Sequence, residues 1–98
     1  MGRKLKVSKN ATALAEDMGL PASKALEWQV RRQLTDKIAH IIKSEDRTIS
    51  EVAKKAGTSR ARVTDIVKGN SEGISIDVLL RVLGALGSSV KISFQKAS

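Results

Sequence analysis

Thr48-Ile-Ser-Glu-Val-Ala-Lys-Lys-Ala-Gly-Thr-Ser-Arg-Ala-Arg-Val-Thr-Asp-Ile-Val-Lys-Gly69 is the stretch on which the fold turns. It opens with Thr48, Ile49, Ser50 and Glu51, the form of a capping box. There the hydroxyl accepts from the amide three residues on, and the carboxylate reaches back. Val52, Ala53 and Ala56 then recur at helical spacing and face inward. Gly57 takes the helix-ending position, where a positive φ is cheap only without a Cβ. Thr58 or Ser59 caps a second helix. Its buried side is Val63, Ile66 and Val67, and Gly69 with Asn70 closes it. The stretch predicts two short helices joined by a tight turn, the second running from Ser59 to Lys68.

Downstream, Ser71 to Gly73 make a loop and Ser75 caps a further helix. Asp77 suits the positive end of that helix dipole, and Ile74 and Leu79 can staple its start. Val78, Leu79, Val82, Leu83 and Leu86 supply core, and Gly87 stops the helix. Val90, Ile92 and Phe94 then alternate with polar residues, a period of two that predicts a strand.

Upstream, Leu26, Val30, Leu34, Ile38, Ile41 and Ile42 form one apolar stripe, which predicts a long helix from Ala22 to about Ser44. Trp28 and His40 lie off that stripe. Residues 11–18 suit one or two helical turns, ended by Gly19, and Pro21 suits the first turn of the next helix. Residues 1–10 form a basic arm in which Leu5 and Val7 alternate with polar residues, a weak signal that allows a short strand without predicting one.

These elements give a mostly α bundle of four to five helices with one C-terminal strand. It divides into a basic arm with a short helical turn (1–21), a helical domain (22–87) and a terminal strand (88–98).

The 98 residues fit one small domain with a modest core, the kind that often gains stability from a second subunit. Cysteine is absent, so disulfides, thiolate zinc sites and cysteine nucleophiles are excluded, and with His40 the single histidine a histidine-based metal site or triad is not expected. No nucleophile–base pair or metal cluster stands out, and an enzyme is not expected. Nor is a cofactor. No run approaches the roughly 20 apolar residues of a membrane span. The expectation is a soluble, cytoplasmic protein, associated with the nucleoid if it binds DNA.

The net charge of +8 is unevenly placed. Residues 1–10 carry Arg3, Lys4, Lys6 and Lys9 with no acid. Residues 47–70 carry six bases against Glu51 and Asp65, and the remainder is balanced. The excess therefore sits on the arm and on the two-helix unit, where an electrostatic footprint for phosphates would lie.

Two short helices about a glycine turn, with a basic second helix, form the layout that sets one helix across a DNA backbone and the next in the major groove. Small Ala53 permits the close crossing, and Val52, Val63 and Ile66 hold the angle. Arg60 and Arg62 can fork onto guanine or clamp a phosphate. Ala61 can sit against a thymine methyl. Asp65 can accept from a cytosine amino group, or can pair with Arg62 or Arg60 inside the chain. Thr58, Ser59, Thr64, Lys68 and the Gly69–Asn70 backbone suit phosphate contacts, which fix register. Lys54 and Lys55 add charge to the same side.

Residues 48–69 resemble the helix-turn-helix of the Xre/Cro, lambdoid-repressor-like family. The resemblance implies base-facing positions for Arg60, Ala61 and Asp65, and positions along the phosphates for Thr58, Ser59, Arg62 and Lys68. Met18-Gly-Leu-Pro21, Ile74-Ser-Ile-Asp-Val-Leu-Leu80 and Val90-Lys-Ile-Ser-Phe94 are similar to a compact Xre branch. That branch includes antitoxins of HigA-like toxin–antitoxin pairs. In this chain the terminal strand stands where repressors usually have a fifth helix.

A single strand needs a neighbour. The candidates are the Lys4–Val7 segment, the same strand of a second copy, or a partner's sheet edge. The second copy is favoured, paired antiparallel through Val90, Ile92 and Phe94, because a twofold axis also sets two reading helices for successive major grooves, roughly 34 Å apart. The functional expectation is a homodimeric, sequence-specific DNA-binding regulator, a repressor on a palindromic site. The alternative is an antitoxin that neutralises a small HigB-like toxin and represses its own operon.

Overall fold

A computed structural model describes residues 3–6 and 22–95. The element order is β1 (Arg3–Lys6), α1 (Ala22–Ser44), α2 (Ile49–Ala56), α3 (Arg60–Val67), α4 (Ile76–Ala85) and β2 (Val90–Ser93). The mostly α helix-turn-helix bundle expected from the sequence is the fold observed. The helical turn expected over residues 11–18 lies outside the described residues.

Each short helix starts as its sequence dictates. Thr48, Ser59 and Ser75 sit in extended backbone and accept, through their hydroxyls, from the amides of Glu51, Arg62 and Val78, each at 3.2 Å. One detail of the capping box differs. The Glu51 carboxylate accepts from the Thr48 hydroxyl at 3.2 Å rather than from its amide. The helices end where glycine allows a left-handed turn, at Gly57 (φ 68°) after α2 and Gly69 (φ 83°) after α3.

α1 packs on α3 and α4, and α2 also packs on α3 and α4, so the four helices close round one core. Leu34, Ile38, Ile41 and Ile42 of α1 meet Val52, Ala53 and Ala56 of α2, Val63 and Ile66 of α3, and Leu79, Val82 and Leu83 of α4. Ile74 and Leu79 are both buried in this core, as the staple requires.

Leu26 does not join it. The side chain is 40 % exposed, while Ala25 and Thr35 are buried instead. Each step of four residues overshoots a full helical turn by about 40°. A row drawn from Leu26 through Val30 and Leu34 to Ile42 therefore winds round the axis, and its first member is carried off the core face.

The C-terminal strand expected from the sequence is present, and it has a second strand beside it from the N-terminal segment, one of the three candidate neighbours. β2 pairs with β1 of the same chain, in parallel, with Arg3 opposite Val90, Lys4 opposite Lys91, Leu5 opposite Ile92 and Lys6 opposite Ser93. A parallel pair needs a long crossover, and the helical bundle supplies it. An antiparallel partner from a second copy therefore does not take this edge of β2. The other edge has no strand beside it among the described residues. Val90 packs against the core, whereas Ile92 is 58 % and Phe94 92 % exposed.

Candidate nucleic-acid interface

The turn between α2 and α3 is closed by backbone hydrogen bonds from Gly57 to Lys54 (3.3 Å) and from Thr58 to Ala53 (3.0 Å). They satisfy carbonyls that the end of α2 would otherwise leave open. Val63 and Ile66 are fully buried, which turns the opposite side of α3 to solvent.

On that side Arg60, Ala61, Arg62 and Asp65 are exposed, and Thr64 is half-buried. Ala61 and Asp65 lie one turn apart in a row, and Arg60 and Thr64 form the adjacent row. Ser59, Lys68 and Asn70 are exposed at the two ends of the helix. The predicted base-facing residues are thus all exposed on α3, most of the predicted phosphate residues are exposed on the helix or at its ends, and Lys54 and Lys55 are exposed on neighbouring α2.

Two details depart from the expectation. The amides of Gly69 and Asn70 are not free for a phosphate, because they donate to the carbonyls of Ile66 (3.0 Å) and Asp65 (2.8 Å) and so close α3. Only the Asn70 side chain remains for that role. The Thr58 hydroxyl oxygen is buried and finds no hydrogen-bond partner. The Ser59 hydroxyl accepts from Arg62 as a cap but keeps its proton, which it can still donate.

Charge is distributed in a telling way. Ion pairs among the described residues join Lys24 and Arg31 to Glu27, Arg32 to Asp36, Arg47 to Glu45 and Arg81 to Asp77. None involves Lys54, Lys55, Arg60, Arg62 or Lys68. Asp65, which could have paired with either arginine, is likewise left without an ion pair among these residues. α2 and α4 carry an acid in the first turn, Glu51 and Asp77, as the helix dipole favours. α3 carries none and has Arg60 and Arg62 there instead, where positive charge is disfavoured.

Residues the sequence reading missed hold α3 from behind. Arg31, Arg32 and Thr35 of α1 hydrogen-bond the loop 69–74 that leaves α3. Their i,i+4 acids, Glu27 and Asp36, are visible in the sequence. Their other partners are mostly backbone carbonyls, which a sequence does not display.

No helix among the described residues is long and apolar enough to cross a membrane. Neither the curated proteins nor the solved structures gave a match. A family model described as a helix-turn-helix domain matches residues 14–95, which is most of the chain. The protein therefore belongs to this helix-turn-helix domain family.

Proposed function

We propose that the protein is a sequence-specific transcriptional regulator, a repressor, that lays α3 in the major groove. One observation carries this. Alone among the short helices, α3 sets cations rather than an acid in its first turn and leaves them unpaired. A local electrostatic rule broken without an internal partner marks a surface built for an external one. The partner that answers closely spaced cations on a helix of this kind is the phosphate backbone with the base edges behind it. Arg60, Ala61 and Asp65 take the base edges. Thr58, Ser59, Arg62, Thr64, Lys68 and Asn70 take the phosphates.

The test is selection of bound sequences from random duplexes, followed by titration of two variants. Arg60→Ala should cost about 1–3 kcal/mol on the selected duplex and relax preference at one position. Lys68→Ala should weaken selected and random duplexes alike and lower the salt slope by about one unit. Parent-like binding by both variants would remove α3 from the interface.

Exposed Ile92 and Phe94 favour a protein partner as well. We assign them to a second copy of the chain, meeting at the open side of the sheet. The antitoxin reading instead sets a small toxin there. Sedimentation of the purified chain distinguishes the two, since only the first gives a dimer without another protein.

A further inference from the structure

The reading helix has slender footing. α3 is eight residues long, about two turns, and stands on Val63 and Ile66, with half-buried Val67 packed beside them. These three residues fall within five positions, so they seat the helix on the core over little more than one turn of its length. Its last turn contains no basic residue, and the cation at that end is the exposed Lys68 of the C-cap.

One stretch of α1 acts at that end. Arg31 Nη1 donates to the carbonyl of Ser71 at 2.7 Å and also to that of Ile74. Arg32 Nη1 donates to the carbonyl of Gly69 at 3.3 Å. The Thr35 and Ser71 hydroxyls share a hydrogen bond of 2.7 Å in the protein interior. The Arg31 side chain is only 13 % exposed, and its second terminal nitrogen is held by Glu27 at 3.2 Å. Ser71 and Ile74 are the buried residues of this loop, and buried carbonyls need donors; here they come from a different and longer helix.

We infer that Arg31, backed by Arg32 and the Thr35–Ser71 pair, is a positioning residue that fixes the pitch of α3 against α1 and so sets how well the protein tells one DNA sequence from another. The inference rests on the DNA-reading function proposed above. Arg31 touches no DNA in this arrangement, because its guanidinium is spent on the loop. Loosening it changes the angle at which Arg60, Ala61 and Asp65 meet the bases and leaves the phosphate attraction in place.

Arg31→Lys tests this. Lysine keeps the charge, but its ammonium lacks the planar fork that holds the two carbonyls with one terminal nitrogen and Glu27 with the other. Affinity for the best duplex selected from a random pool should fall about tenfold. Affinity for a random duplex should stay within about twofold, and the salt slope should not change. Equal loss on both duplexes with a slope lowered by about one unit would make Arg31 a phosphate contact and overturn the inference. So would unchanged binding to both.

If that variant does not fold, Thr35→Val combined with Ser71→Ala replaces both buried hydroxyls by apolar groups, a change that need not cost stability. It should lose about threefold on the selected duplex alone, and no loss would overturn the inference. If the parent selects no sequence, the proposed function fails, and amide residual dipolar couplings of the free protein decide the clamp. They should show α3 reoriented against α1 in Arg31→Lys, and an unchanged orientation would refute it.

Discussion

Arg60 stands at the positive end of the α3 dipole with no acid beside it, so the free protein carries it at a cost. Arg60→Glu should therefore stabilise the fold by about 0.3–1 kcal/mol at low ionic strength, read as a shift of the urea midpoint, while DNA binding is lost. A destabilised variant would mean that Arg60 serves the fold rather than a ligand. Thr58 poses the complementary question. Its hydroxyl oxygen is buried without a partner, and such a group costs about 1–3 kcal/mol. The proposed phosphate contact requires the side chain to rotate outward on binding. Thr58→Val removes the hydroxyl at nearly constant shape. We expect the free protein to gain about 1 kcal/mol in urea unfolding and DNA affinity to drop by a similar amount, on selected and random duplexes alike. A stability gain with unchanged affinity would strike Thr58 from the phosphate track.

The two short helices depend on their joint. Gly57 adopts φ 68°, and a Cβ built there meets nothing within 4 Å. The cost of Gly57→Ala is thus backbone strain alone, about 1–2 kcal/mol, and the melting temperature should fall without a change in the unfolding m-value. A loss much above that would show that the α2–α3 packing had shifted as well. This joint was legible in the sequence because it is written locally. Caps at Thr48 and Ser75 and the glycine at 57 each act within four residues of themselves and are where the sequence placed them, and of the two caps it offered for α3 the structure takes Ser59. The outward side of α3 was legible for the same reason, since burying Val63 and Ile66 fixes what faces out. What escaped was non-local. Nothing near Val90 announces that it will lie beside Arg3, and nothing near Arg31 announces a carbonyl forty residues away. The exposure of Leu26 was missed for a geometric reason, the slow winding of a four-residue repeat about the helix axis.

At the scale of the whole molecule, the described parts measure 42 × 26 × 20 Å, too small to read two successive major grooves alone with a single α3. A twofold pair reads half-sites roughly 34 Å apart, each reading helix about 17 Å from the axis, a distance that a body of these dimensions provides. In the proposed dimer the sheet is where the two copies meet. One edge of β2 is filled by β1, Val90 is anchored on the core, and Phe94, beyond the strand's end, is 92 % exposed. Removing a side chain that exposed should not disturb the protomer, since surface changes of this kind usually alter stability by less than about 0.5 kcal/mol. Phe94→Ser should therefore leave helicity and melting of the isolated chain intact while converting a sedimenting dimer to a monomer at micromolar concentration. Affinity for a palindromic duplex should fall towards that for a single half-site, because the second reading helix no longer arrives tethered to the first. A parent that sediments as a monomer with and without the duplex, or a Phe94→Ser variant that still dimerises, would place the twofold contact on another surface.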